Sequence, residues 1–161
     1  MRLKTLDPFS AIAEYILENP TVSNKELKMA AGNLGLKDDK IAFVLAYTIL
    51  TEDVVAQLKQ KEVISRLKGF LKSEKCQRAF LGGIETLIGK YSDSLMTKTS
   101  QILKAVYDLD LLVEGAFVAW GEKPSKKFVD RKTSKEIKDS AKKFLEWLAN
   151  AEEESSDSDE A

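Results

Sequence analysis

The stretch Phe80-Leu81-Gly82-Gly83-Ile84-Glu85-Thr86-Leu87-Ile88-Gly89-Lys90-Tyr91 decides the fold. Phe80, Ile84, Leu87, Ile88 and Tyr91 recur at i, i+4, i+7, i+8 and i+11. That is the repeat of one buried face of an α-helix. Gly82-Gly83 lies inside the pattern. No Gly-x-Gly-x-x-Gly or Walker spacing surrounds it, so it is not a phosphate loop. The pair reads as a place where a second helix comes close.

The same period continues on both sides. Asp7-Pro8 predicts an N-cap followed by proline at the first helical position. Phe9, Ile12 and Ile16 form one face, and Asn19-Pro20 ends that helix. Ser23-Asn24-Lys25-Glu26 is a capping-box pattern that opens a second helix, closed by Gly32 and Gly35. Ile41, Val44, Leu45 and Ile49 belong to a third helix, apolar nearly all round and so expected at the centre. Thr51 is placed to cap the next helix, whose later part carries Val63, Ile64, Leu67, Phe70 and Leu71; Ser73 marks a break. Beyond Tyr91, Ser92 opens a helix through Leu95, Ile102, Leu103 and Val106. Another is predicted from about Leu109 to Trp120, stopped by Gly121 and Pro124. Thr133-Ser134-Lys135-Glu136 repeats the capping box and starts a last helix with Ile137, Ala141, Phe144, Leu145 and Leu148.

No segment alternates with period two. The expected fold is therefore all-α, with antiparallel helical hairpins stacked as a short solenoid. No clear sequence period accompanies it. Residues 1–150 are expected to form one domain, and 151–161 an acidic, disordered tail.

Composition excludes several functions. The chain has 161 residues and 43% hydrophobic content, enough for one core. Its longest run without a charge is Ile41 to Thr51, far short of the roughly 20 residues of a membrane span. Met1-Arg2-Leu3-Lys4 has no apolar h-region behind it, so no secretory signal is expected. There is no histidine, and Cys76 is the single cysteine. Zinc sites of Cys and His, Ser-His-Asp triads and Cys-His dyads cannot be built within this chain. Nor can an internal disulfide form, which fits a reducing compartment. Cys76 is expected to be a small buried residue.

The formal charge of −1 hides an asymmetry. Residues 152–161 hold six acids (Glu152, Glu153, Glu154, Asp157, Asp159 and Glu160) and no base, which leaves 25 bases against 20 acids in 1–151. Two stretches of this mildly basic body are locally positive. One carries Lys59, Lys61, Arg66, Lys68, Lys72, Lys75 and Arg78. The other has nine bases between Lys123 and Lys143. Bases at helical spacing usually make a solvated helix face; the alternative is a nucleic-acid surface. Phe70, Phe128 and Phe144 nearby sit at core-type spacing rather than as a stacking platform.

On the helix expected from Leu109, the residues Leu109, Leu112, Val113, Ala116, Phe117 and Trp120 share one face. Leu111 and Val118 project from the other side, flanked by Asp110 and Glu114 as i, i+4 neighbours. Asp108 is placed at the helix start. This apolar-plus-acidic face either packs on the next helix or docks a basic, partly apolar peptide. Asp108-Leu109-Asp110 does not open a calcium loop, because Val113 and Ala119 stand where Gly and Glu are needed. On the last helix Trp147 lies about 100° from the core stripe, so it is expected at the core boundary. Beside Glu146 and Glu152–Glu154 it is a candidate anchor.

Tyr107-Asp-Leu-Asp-Leu-Leu-Val-Glu114, Trp120-Gly-Glu-Lys-Pro-Ser-Lys-Lys127, Phe144-Leu-Glu-Trp-Leu-Ala-Asn-Ala-Glu-Glu-Glu-Ser-Ser156 and Cys76-Gln-Arg-Ala-Phe-Leu-Gly-Gly-Ile-Glu85 carry a resemblance. Together they resemble the two-tryptophan (W-two) C-terminal domain family of eukaryotic translation initiation factor 5. The likeness is strongest after residue 70. It implies a HEAT-like solenoid of the MIF4G/W-two type and a cytoplasmic, non-enzymatic adaptor of translation initiation. Two aromatic–acidic boxes of that family bind lysine-rich segments. By motif match the first is Asp108, Asp110, Glu114, Trp120 and Glu122; the second is Glu146, Trp147, Glu152, Glu153 and Glu154. The implied partners are the beta subunit of initiation factor 2, with its lysine runs, the N-terminal region of a large subunit of initiation factor 3, initiation factor 1 and initiation factor 4G. The resemblance also implies no cofactor, no metal and no membrane, with RNA contact secondary. GTPase activation in that family belongs to a separate N-terminal domain, so the chain is expected to be one domain of a longer factor. Ser155, Ser156 and Ser158 lie among acids and resemble acidophilic kinase sites. The basic stretch Lys59 to Arg78 is a candidate second face for an acidic partner. The alternatives are another two-tryptophan protein, such as the epsilon subunit of the exchange factor or a factor 5 mimic, and an RNA-binding helical module.

Overall fold

A computed structural model describes residues 7–122, 124 and 127–160, with side chains as far as residue 151. Among the described residues there are only helices and turns, no strands. None of the helices is long and apolar enough to cross a membrane.

The centre is a pair of helices, α3 (Asp38–Thr48) and α6 (Glu74–Lys90), which make the largest contact in the molecule. The glycine pair permits it. A Cβ on Gly83 would stand 2.2 Å from the Phe43 carbonyl oxygen and 2.6 Å from Ala46 Cβ. On Gly82 it would meet the Phe128 ring at 2.4 Å. Backbone thus packs directly on backbone, and α3 is buried along Ile41, Ala42, Val44, Leu45 and Ala46, as its all-round apolar sequence predicts.

The N-terminal helices start and stop where the sequence says. In α1 (Pro8–Glu18) the Asp7 carboxylate accepts from Ser10 N at 3.0 Å. In α2 (Asn24–Asn33) Ser23 is the N-cap expected of it: its Oγ accepts from Glu26 N at 3.0 Å, and Glu26 Oε1 accepts from the Ser23 hydroxyl at 3.1 Å. Gly35 ends that segment with φ 77°, a conformation that favours glycine. Cys76 is buried, as expected.

Four expectations change. The helix after Thr51 is two short ones, α4 (Val54–Gln57) and α5 (Lys61–Lys68), and Phe70 and Leu71 fill the core from the turn beyond. The helix opened by Ser92 is broken into α7 (Ser92–Leu95), a 3-10 turn at Met96–Lys98 and α8 (Thr99–Asp108). The helix expected from Leu109 does not exist as such: α8 ends at Asp108 and α9 spans Glu114–Gly121. Between them Asp110 takes φ 59°, which Asp tolerates better than most residues. Buried Gln77 holds the turn, donating to Leu71 O at 2.9 Å and accepting from Val113 N at 2.9 Å. Asp108 therefore stands at a helix end, not a start. Asp110 and Glu114 are not i, i+4 helix neighbours, and Val113 is exposed rather than buried. Finally, α10 (Arg131–Glu160) begins before the expected capping box. Asp130 caps it, accepting from Thr133 N at 2.9 Å and Thr133 Oγ1 at 2.7 Å, and these bonds hold its carboxyl below the usual range.

The last helix closes the stack by packing on α8, α6 and α9. Ile137, Ala141, Phe144 and Leu148 face inward, as the period predicts. The backbone of α10 continues through the expected tail to Glu160.

Candidate partner-binding face

The end of α8, the turn and the start of α9 enclose a shallow groove of about 720 Å³ lined by Tyr107, Asp108, Asp110, Leu111, Leu112, Val113 and Glu114. Three of its seven walls are carboxylates, and exposed Val113 adds an apolar lip. The backbone positions these groups: the left-handed Asp110 turns the chain, and Gln77 fixes Val113.

Trp147, on α10, stands beside this groove, against its wall at Tyr107. Its ring meets Tyr107 edge-on at 5.4 Å between centroids, and Phe144 at 5.9 Å. It is 41% exposed, the boundary position expected of it. Over it sits Lys104, with Nζ 5.0 Å from the Trp147 ring centre and 5.9 Å from that of Tyr107. The same ammonium donates to Asp108 Oδ1 at 2.7 Å. Aromatic faces and a carboxylate around one ammonium make a cation-binding cage. Asp108 of the first box and Trp147 of the second thus share one small site.

The other box residues are divided. Glu122 is exposed just beyond α9, and Glu146 is exposed on α10. Trp120 is buried, 7% exposed, and lines a different cleft. Its Nε1 donates to Glu85 Oε1 at 2.8 Å, and Lys138 Nζ approaches the same oxygen at 3.2 Å and the Trp120 ring at 4.3 Å. Glu85 is wholly buried, and its Oε2 has no hydrogen-bond partner among the described residues. The side chains of Glu152, Glu153, Glu154, Ser155, Ser156 and Ser158 lie outside those described.

The candidate basic face is also divided. Lys59, Lys61, Lys68 and Lys72 are exposed. Arg66 is not a free cation: it donates to Asn24 Oδ1 and to the Val22 carbonyl, tying α5 to the start of α2, and partial burial lowers its pKa. Lys75 and Arg78 line the cleft that Trp120 borders.

Sequence reasoning missed Lys104 and the Glu85–Lys138 pair. A signal for the pair existed, because Glu85 is an acid next to Ile84 inside the apolar stretch of α6, and a buried carboxylate needs a partner. For Lys104 the spacing to Asp108, i to i+4, was the available cue.

Comparison with known proteins gives a consistent result. The family model described as W2: eIF4-gamma/eIF5/eIF2-epsilon matches residues 76–158. Eukaryotic translation initiation factor 5 of Caenorhabditis elegans is 37% identical over 129 residues, covering 80% of this chain and 29% of that protein. The Schizosaccharomyces pombe protein called probable eukaryotic translation initiation factor 5 is 34% identical over 150 residues, 91% of this chain and 37% of its own length. The Saccharomyces cerevisiae factor is 32% identical, covering 86% of this chain and 34% of its own. The chain thus spans about a third of the length of the curated relatives it matches. A solved structure of the C-terminal domain of translation initiation factor 5 at low pH superposes with a TM-score of 0.78 at 26% identity, covering 98% of this chain and 99% of that one.

Proposed function

The chain belongs to the W2 family of eIF4-gamma, eIF5 and eIF2-epsilon, and from that membership we propose that it is a protein–protein adaptor of translation initiation whose acidic–aromatic face captures lysine-rich segments. The observation that carries this reading is Lys104. The Trp147–Tyr107–Asp108 cage already holds an ammonium group, the chemistry a lysine run presents. The beta subunit of initiation factor 2 is the first partner proposed. The N-terminal region of a large subunit of initiation factor 3, initiation factor 1 and initiation factor 4G are further partners in the same assembly. The work is binding rather than catalysis, in the cytoplasm where initiation takes place.

The mechanism is electrostatic capture followed by apolar contact. Asp108, Asp110, Glu114 and Glu146, with Glu152–Glu154 farther along α10, draw a basic segment in and speed encounter. Trp147, Val113 and Leu111 then cover lysine stems. The acids Glu152, Glu153, Glu154, Asp157, Asp159 and Glu160 add negative charge to the sequence that follows Trp147. Phosphates on Ser155, Ser156 or Ser158 would add charge there and tighten binding.

Calorimetric titration with a peptide of several lysine runs, at about 0.1 M and 1 M salt, tests the reading, because the Debye length falls from about 10 Å to 3 Å between them. Binding should weaken at high salt, and weaken further when Glu152, Glu153 and Glu154 become Gln. Salt-independent binding, or none by the folded protein, would overturn it.

A further inference from the structure

Two serines join α10 to the segment that carries α8, ahead of the Trp147 cage. Ser100, in the first turn of α8, donates its hydroxyl proton to the Ser140 carbonyl at 2.8 Å, and its Oγ accepts from Phe144 N at 3.2 Å. That carbonyl and that N–H are the pair an α-helix joins in its own ladder, residue i with i+4. The Ser100 hydroxyl therefore bridges one rung of α10 from outside, as a side chain does when it enters a helix ladder. Ser140 answers with its own hydroxyl, which donates at 2.7 Å to the Met96 carbonyl in the 3-10 turn before α8. Thr99 Oγ1 donates to the same carbonyl at 2.8 Å. Serine is a poorer helix former than alanine because its hydroxyl competes for nearby backbone groups of its own segment. Here Ser100 and Ser140 both bond across to another helix or turn, and both are half-buried.

We propose that Ser100 is the positioning residue of the partner-binding face: its hydroxyl fixes the register of α8 against α10, and so places Trp147 beside Tyr107 and within reach of Lys104. The proposal rests on the adaptor reading of that face. From the clamp the two helices advance together. Ser100 meets Ser140 and Phe144. About 6 Å farther along α8, Lys104 meets Trp147, and close to one turn beyond it Tyr107 meets the same ring edge-on. Phe144, whose N–H the clamp holds, also touches the rings of Tyr107 at 6.2 Å and Phe117 at 5.3 Å. Those ring contacts are largely apolar burial, which is non-directional and tolerates a shifted or rotated helix. A hydrogen bond weakens steeply with angle, so the clamp selects one register among those the apolar contacts allow. A slip of one turn, about 5.4 Å, would carry Trp147 away from both Tyr107 and Lys104.

The test is Ser100→Ala in the whole chain, with two readouts. The variant should fold, because the Ser140 carbonyl and Phe144 N–H are then free to pair with each other in the ladder of α10. The first readout needs no partner. In a nitrogen–proton correlation spectrum the Trp147 indole signal should move, and that of Trp120, bonded to Glu85, should stay. The second is calorimetric affinity for the lysine-run peptide. It should fall about threefold to fivefold, a fraction of the loss of a hot-spot aromatic. Its salt dependence should not change, since every carboxylate of the face remains. In a Trp147→Ala background the same substitution should cost nothing further, because it acts through Trp147. Ser100→Thr returns a hydroxyl and should restore both readouts. Ser94→Ala deletes a hydroxyl bonded to Glu52 and the Tyr91 carbonyl instead, and should move neither. A parent that does not bind the peptide would overturn the adaptor reading and this role with it. A binding parent whose affinity and Trp147 signal are unmoved in Ser100→Ala would overturn the role alone. So would an additive loss in the Trp147→Ala background, no rescue by Thr, or a Ser100→Ala protein that fails to fold, since the hydroxyl would then serve the whole core.

Discussion

Both tryptophans of this chain sit beneath a lysine, and each lysine is held by a carboxylate, yet the two trios do different work. Around Trp120 the partners are Lys138 at 4.3 Å and Glu85 at 3.2 Å from that ammonium, with residue exposures of 7%, 9% and 0%. Around Trp147 they are Lys104 at 5.0 Å and Asp108 at 2.7 Å, and all three are exposed or half exposed. The contacts are alike; the solvent is not. In the buried trio each charge has left water, so losing one partner strands the other. In the exposed trio water screens the pair, and its net worth is roughly 0–1 kcal/mol. The first arrangement is a fixed joint between α6, α9 and α10. In the second, Lys104 can be displaced at little cost by a lysine from elsewhere.

The largest expected effect breaks the buried trio. Glu85→Gln keeps the volume and an acceptor for Trp120 but leaves Lys138 charged and unpaired. We expect a loss of about 3 kcal/mol, the lower end for a broken buried pair, because Lys138 has the adjoining cleft into which to escape. The check is the urea midpoint at unchanged m. Replacing both partners, Glu85→Gln with Lys138→Met, should recover much of the loss. A single variant within about 0.5 kcal/mol of the parent would remove the distinction drawn between the trios.

Next comes Trp147→Ala. It deletes the exposed cage and its contact with Phe144, and should weaken binding of a lysine-run peptide by about thirtyfold, the scale of a hot-spot aromatic. Stability should fall by about 1–2 kcal/mol, since the ring is more than half buried and packs on Tyr107 and Phe144. Calorimetry and urea unfolding of the same sample separate the two. Unchanged affinity would show that the cage is decoration on an acidic surface. A smaller effect is expected of Asp108→Asn: about threefold weaker binding at 0.1 M salt, the difference vanishing at 1 M, with stability changed by less than about 0.5 kcal/mol. A loss that survives high salt would mean that Asp108 acts by hydrogen-bond geometry rather than by charge.

How much of this was legible in the sequence differs between the two regions. The helices whose caps lie in sequence, Asp7-Pro8 and Ser23 to Glu26, were read correctly, because capping is a local interaction. Gly82-Gly83 was readable as a close approach because glycine inside an apolar stripe has few other uses. The stretch from Leu109 to Trp120 was misread as one helix. Its apolar spacing is helical, but Gln77, more than thirty positions away, accepts from Val113 N and ends the register. The final capping box failed for a simpler reason: Asp130, three residues before Thr133, is a competing cap. The Trp147 boundary position followed from helical phase alone. The division of the first box, with Asp108 toward Trp147 and Trp120 toward Lys138, depends on tertiary packing that no local pattern carries.

The smallest predicted effect has the opposite sign. If Lys104 is a placeholder, Lys104→Met should empty the cage of charge while keeping an unbranched stem over Trp147. Asp108 would then face the groove without its partner, and an incoming lysine would no longer have to displace one. Affinity for the lysine-run peptide should rise about twofold to threefold, the scale of an exposed ion pair, about 0.5 kcal/mol. The gain should be largest at low salt, where both removal of a like charge and release of Asp108 count most. Two measurements sharpen the point. The double variant Lys104→Met, Asp108→Asn should lose the gain, because the freed carboxylate is gone. Lys138→Met should give no gain, since its trio is buried and faces the basic cleft. A fall in affinity in Lys104→Met, with the fold intact, would mean that Lys104 orders Trp147 and Tyr107 for the partner, and the exposed trio would then be a fixed joint like the buried one.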